Sequence, residues 1–193
     1  MDHDDSLERV LNHFKKCEAP NLLIELLEFD LNCPRDFFCT SFEFYSARDI
    51  ERFSSEVICG YSNDSKEFDS RLLPFATNDG CGSCLALWRP QESVKFGDSP
   101  IAELDSEGEV RIIASNFYEF LSLLLTDTHY YDDEMAHNEN ESPNHHLFRQ
   151  WFEEKGIRKI QARSVLKTAR DKYHKDFQLW FSNFHPDLYY DSL

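Results

Sequence analysis

Between residues 72 and 125 the chain places short apolar runs between compact polar breaks. Leu-Leu-Pro-Phe-Ala at 72–76, Leu-Ala-Leu-Trp at 85–88, Ile-Ala-Glu-Leu at 101–104 and Val-Arg-Ile-Ile at 110–113 are each the length of a strand. Asn78-Asp79-Gly80 is a strong reversal signal, with Gly82 two residues on, and Asp105-Ser106-Glu107-Gly108 makes a second turn. After Ala114-Ser115-Asn116 the period changes: Phe117, Phe120, Leu121 and Leu124 are spaced for one face of a helix. The pattern predicts strand, hairpin, strand, loop, strand, hairpin, strand and a capped helix.

The flanks read as follows. Asp5 or Ser6 is placed to cap a first helix carrying Leu7, Val10, Leu11 and Phe14 on one face. Pro20 suits the first turn of a second, with Leu22, Leu23, Leu26 and Leu27 inward, and Cys33-Pro34 ends it. The aromatics of Phe42-Glu43-Phe44-Tyr45 suit a strand, Ser46 caps a helix containing Ile50 and Phe53, and residues 57–61 read as another strand. Residues 126–146 are polar, acidic and His-containing, as in a connector. Beyond them Leu147, Phe148, Trp151 and Phe152 predict an amphipathic helix ended by Gly156. Ile160, Leu166, Ala169, Tyr173, Phe177, Trp180 and Phe181 predict a longer one stopped by Pro186. The expected fold is α+β: a mostly antiparallel sheet of four to six strands flanked by helices, with a C-terminal helical pair. One domain is expected over residues 1–193, with a core at about 20–126, an acidic linker at 127–146 and C-terminal helices at 147–185.

Composition narrows the function classes. Aromatic residues make up 15% of the chain, including seventeen Phe, which argues for a dense folded core. The net charge of −16 disfavours nucleic acid and anionic membranes as partners and favours encounter with a basic protein. The charge is uneven. Residues 147–175 hold nine Lys or Arg against three acids, a net +6, so the remainder carries −22. Docking of this basic segment on the chain's own acidic body is the simpler expectation; a second ligand surface is the alternative. The acidic start, Met1-Asp2-His3-Asp4-Asp5, is not a signal peptide, and no apolar run is long enough to span a bilayer. A cytoplasmic protein is expected, with its six cysteines as thiols.

Candidate chemistry is sparse. Cys81-Gly82-Ser83-Cys84 is a C-x-x-C, but a redox dithiol needs a helix N-terminus at its first thiol, and here a strand follows. A structural zinc site needs a second pair at similar spacing, and Cys33 and Cys39 are poorly placed to supply it. Incidental thiols in a tight turn are the expected reading, with metal or redox use of Cys81 and Cys84 as the alternative. His129, Asp132, Asp133, Glu134, His137, His145 and His146 match no ligand frame. A solvated linker is the expected reading of this segment; the alternative is that Asp127, Asp132, Asp133 and Glu134 form a negative docking surface that would mimic phosphates toward a nuclease. Asp105 and Glu107 are expected to satisfy turn donors rather than act as acid and base. No hydrolase elbow, P-loop or dinucleotide fingerprint is present. The aromatics Trp151, Phe152, Phe177, Trp180, Phe181 and Phe184 are expected in the core, where the C-terminal helices pack on each other or on the sheet.

The central stretch resembles the SUKH superfamily. The resemblance rests on Leu73-Pro74-Phe75-Ala76, on the Gly80 and Gly82 turn leading to Trp88, on Pro100-Ile101-Ala102-Glu103-Leu104-Asp105 followed by Gly108, and on the helix with Phe120 and Leu121. It covers residues 72–125. It implies scaffold positions and no catalytic residues. Many members look like immunity proteins that bind and neutralise a toxin of the same cell lineage; others are fungal regulators of cell-wall assembly. The expectation is therefore a non-enzymatic protein-binding module without cofactor, whose partner is a cognate toxin, a basic nuclease domain among the classes that fit. A regulatory scaffold binding host proteins is the first alternative.

Overall fold

The structure is a computed structural model and describes residues 3–34, 37–52, 65–78, 83–105, 109–128 and 141–184. Five strands form one antiparallel sheet in sequence order: β1 (Glu43–Phe44), β2 (Leu72–Thr77), β3 (Cys84–Trp88), β4 (Ile101–Leu104) and β5 (Val110–Ala114). Every residue of β3 is buried, and so are the first five of β2. The sheet therefore has helices on both faces, and its central strands read as unbroken apolar runs rather than alternating ones. A register shift interrupts the β2–β3 ladder between Pro74 and Ala76. A bulge is where a strand tolerates proline, which has no N–H to give to the ladder.

The first face carries Leu73, Phe75, Leu85, Leu87, Ile101 and Ile113. It is covered by α1 (His3–Lys16), α2 (Asn21–Asn32), α3 (Ala47–Arg52), α5 (Phe117–Leu124) and α6 (His145–Glu154), together with the start of α7 (Ala162–Ala169). Most helix signals of the sequence act as expected, but α1 begins at His3, so Asp5 and Ser6 lie within the helix rather than at its cap. Val10 and Phe14 of α1 are buried, as are Leu23, Leu26 and Leu27 of α2, whose N-cap is Pro20 and C-cap Cys33. Ser46 and Asp49 form a reciprocal cap on α3: the Asp49 N–H donates to Ser46 Oγ at 3.3 Å and the Ser46 N–H to Asp49 Oδ2 at 3.0 Å. At α5 the Glu119 N–H donates to Asn116 Oδ1 and the Ser115 N–H to Glu119 Oε2, both at 3.0 Å. Gly156 ends α6 at φ +65°.

The second face carries Leu72, Ala86, Trp88, Ala102, Val110 and Ile112. It is covered by α4 (Ser65–Arg71) and by α8 (Lys175–Ser182). Helix α4 is an addition to the sequence reading. It has one core residue, Phe68, and so no period to detect, yet Phe68 is fully buried against Trp180, with centroids 5.2 Å apart. The predicted long C-terminal helix exists as α7 and α8 joined by a π turn, Arg170–His174. It begins on the first face with Ala162 and Val165 and finishes on the second with Phe177, Trp180 and Phe181. The turn crosses β5, the last strand of the sheet, so the helix covers a side that would otherwise be an open edge. The expected C-terminal aromatic stripe is thereby divided. Phe152 packs in the first core, whereas Phe177 and Trp180 pack on Trp88 in the second, at 5.0 and 5.8 Å.

The strand expected at 57–61 lies outside the described residues, as do Phe53, Glu107 and Pro186. No described helix is long and apolar enough to cross a membrane.

Candidate interaction site

The residues quoted for the family resemblance fall on the scaffold. Phe75, Phe120 and Leu121 are fully buried in the first core, and Pro74 sits at the bulge. Pro100 is buried and its carbonyl accepts the Trp88 N–H at 3.0 Å. Leu104 is half-buried at the end of β4, and the Asp105 N–H donates to Glu109 O at 2.8 Å to close the β4–β5 hairpin. The Asp105 carboxylate lies 3.6 Å from the Arg111 guanidinium. Gly80, Gly82 and Gly108 lie outside the described residues.

Beside Asp105 is a feature that the sequence did not announce. Glu103 points into the sheet with no exposed surface, and its Oε2 is 2.6 Å from Arg111 Nε across the ladder. Asn78 Nδ2 donates to the other carboxylate oxygen. A single acidic residue within Ile-Ala-Glu-Leu reads as the solvent face of a strand, so only the pairing register reveals that it is buried.

Asp127 departs from the expected docking surface. It is buried, at φ +50°, and its carboxylate accepts the Thr40 N–H at 2.8 Å, the Ser142 N–H at 2.5 Å and the Ser142 hydroxyl at 2.5 Å. Its neighbour Thr128 accepts from Ser41 Oγ at 3.0 Å. His145, grouped above with metal-capable residues, is also buried and donates Nδ1–H to Phe38 O at 2.9 Å. The backbone around residues 37–41 thus holds both ends of the acidic connector. Asp127 is a structural clamp; a carboxylate with three internal donors has no face left for a partner. Asp132, Asp133 and Glu134 lie outside the described residues.

The described cysteines Cys33, Cys39 and Cys84 are held as protonated thiols by their surroundings. Cys84 is buried within β3, and desolvation drives its thiol far above the usual range, against a smaller opposing effect of the Tyr45 hydroxyl. Burial likewise pushes Cys39 up to about 12 and Cys33 to about 11. Cys81 lies outside the described residues, and the described residues contain no group of three His, Cys, Asp or Glu able to hold a metal.

Among the described residues, an open cleft of about 630 Å³ lies between the α1–α2 corner, the 3₁₀ turn Phe96–Asp98 and the first turn of α5. Leu22, Ile24 and Tyr118 give it an apolar wall, and Tyr118 is 59% exposed. Lys15, Lys95, Glu18 and Asp98 supply charge of both signs, with Glu18 3.4 Å from Lys95. The corner is a Schellman turn: the Ala19 N–H donates to Phe14 O and the Glu18 N–H to Lys15 O. Glu18 occupies the left-handed position at φ +54°, where glycine is usual. An L side chain there costs about 1–2 kcal/mol, and without a glycine at this position the corner carries no signal in the sequence.

The architecture is a sheet of paired hairpins covered on both faces, with a cleft of mixed charge beside it. The SMI1/KNR4 family (SUKH-1) model matches residues 4–123, more than half of the chain, and the chain belongs to that family. The match extends the resemblance back to α1 and stops within α5, so α6, α7 and α8 lie beyond it. No curated protein and no solved structure matches the chain.

Proposed function

We propose that this chain is an immunity protein: a stoichiometric, non-enzymatic inhibitor that binds one basic toxin domain in the cytoplasm and covers its active site. The observation that carries the reading is family membership combined with a charge of −22 outside residues 147–175. Long-range attraction by that acidic body speeds encounter with a basic partner, and desolvated apolar and aromatic contacts then slow dissociation. Among the described residues, the cleft with Tyr118 is the best-formed place for such contacts, because it pairs exposed aromatic surface with flanking charge. The acidic residues Asp132, Asp133 and Glu134 belong to the attracting surface in this reading. A nuclease is the favoured toxin class, since carboxylates can stand in for the phosphates that its site binds.

The test is co-expression with the toxin domain encoded beside this chain's own gene. Growth is restored by the wild-type chain, and restoration weakens when Asp132, Asp133 and Glu134 are neutralised together or when Tyr118→Ala opens the cleft wall. Unchanged toxicity in the presence of the wild-type chain would overturn the proposal. In that event a regulatory scaffold for host proteins becomes the better account.

A further inference from the structure

Among the described residues, only part of the basic C-terminal segment docks its charges on the acidic body, through Lys155–Glu25 and Arg149–Glu141. Between residues 158 and 179 there are seven Lys or Arg against two aspartates, Asp171 and Asp176, and all seven cations are exposed. The apolar side of the helix pair is spent on the two cores, through Val165, Ala169, Phe177 and Trp180. The charged side faces water. Lys167 pairs with Asp171 on its own helix at 2.7 Å, but Arg158, Lys159, Arg170, Lys172 and Lys175 form no ion pair among the described residues. The internal complementarity expected from the sequence is limited here to single contacts such as Lys155–Glu25 at 2.5 Å, before the ridge begins.

The ridge is rigid and not purely polar. Its start is tied to α5 by the Ile160 N–H, which donates to Ser122 Oγ at 3.2 Å, and its π turn packs against β5. Leu179, 51% exposed, lies one helical turn beyond Lys175 on the outer face of α8. Half-buried His174 is held toward its neutral form, first by burial and then by the guanidinium groups of Arg170 and Arg111.

We infer that the outer face of α7, the π turn and α8 is a second interaction surface, and that it takes an acidic, amphipathic segment of a protein partner. Charge complementarity sets the sign of the occupant, because five exposed cations form no ion pair among the described residues. Leu179 sets its class. A phosphate backbone offers nothing to a protruding leucine, and a body at −22 repels a long polyanion, whereas a peptide interleaving carboxylates with apolar side chains satisfies both features. This surface lies beyond the family match and has the opposite charge preference to the toxin-facing surface, so the two proposals stand or fall separately.

The test uses the full chain and a fluorescein-labelled, glutamate-rich peptide with leucine at every fourth position, read by fluorescence anisotropy. A glutamine version of the peptide and a single-stranded oligonucleotide are the controls. The wild-type chain binds the acidic peptide and not its glutamine version. The double substitution Lys172→Glu with Lys175→Glu weakens binding about tenfold or more, and Leu179→Ala alone weakens it about threefold. Thermal melts confirm that the variants are folded, and Lys172→Gln with Lys175→Gln replaces the reversal if it is not. Equal binding of the glutamine peptide, tighter binding of the oligonucleotide, or indifference to these substitutions overturns the inference. So does sedimentation showing that the ridge instead joins two copies of the chain.

Discussion

Asp127 and Ser142, fifteen residues apart, are joined twice: the Ser142 N–H reaches Oδ2 of the aspartate and its hydroxyl reaches Oδ1, each at 2.5 Å. Thr40 donates a third hydrogen bond to the same carboxylate at 2.8 Å. One buried charge thus fixes where the chain leaves α5 and where it returns to begin α6. Asp127→Ala strands two backbone N–H groups in a buried setting, at about 1–3 kcal/mol each. We expect a loss of about 3 kcal/mol, seen as a lowered urea midpoint, with faster proteolysis between α5 and α6. Asp127→Asn keeps the shape and one acceptor oxygen and loses less.

The sheet was legible because its strands advertise themselves locally: each apolar run is bounded by a turn signal, and both hairpin turns are rich in Asp, Asn and Gly. Helix α5 was legible through its cap and period. What the sequence hid was tertiary. Helix α4 has a single core residue, so periodicity had nothing to register. The course of α7 and α8 from one face of the sheet to the other leaves no trace in a helical repeat, and the aromatic stripe reads the same whether it serves one core or two. Asp127 was expected on a docking surface and nothing in the sequence marked Glu103 as buried, because burial of a carboxylate depends on donors that are remote in sequence.

The Glu103–Arg111 pair should behave asymmetrically. Arg111→Ala removes the cation beside a fully buried carboxylate, for which the hydrogen bond from the neutral Asn78 amide does not compensate, and breaking a buried pair in this way costs about 3–5 kcal/mol. Glu103→Met with Arg111→Met removes both charges and keeps the bulk. We expect the double variant to be more stable than Arg111→Ala alone when both are compared by chemical denaturation. A double variant as damaged as the single would assign the role to Arg111's contacts with Asp105 and Glu109, at 3.6 and 4.0 Å, instead.

Thiol reactivity distinguishes a binding scaffold from a redox or metal protein. Cys39 and Cys84 are buried with thiols pushed well up by desolvation, and the thiolate is the reactive species. Under native conditions at about pH 8, iodoacetamide should leave both unlabelled while half-buried Cys17 and Cys33 react slowly. Unfolding in urea should make all of them reactive. Rapid native labelling of Cys84, located by peptide mass mapping, would contradict its placement in β3 and revive the C-x-x-C reading.

Asp30 links stability to pH. It lies near the end of α2, where burial first and the Glu43 carboxylate second raise its carboxyl to about 6. Below the unfolded value of 3.8 both states hold the proton and the group is neutral in the balance. Between 3.8 and about 6 the unfolded chain releases the proton first, so the folded state loses ground as pH rises. Above that window the penalty is constant. The full shift corresponds to about 3 kcal/mol, and residual solvent contact reduces this to about 1–2 kcal/mol. Asp30→Asn removes the penalty. The variant should be more stable than wild-type by about that amount at neutral pH, and the two denaturation curves should converge as pH falls through the window. A gain that persists below pH 3.8 would show that the effect comes from packing at the end of α2 and not from the proton.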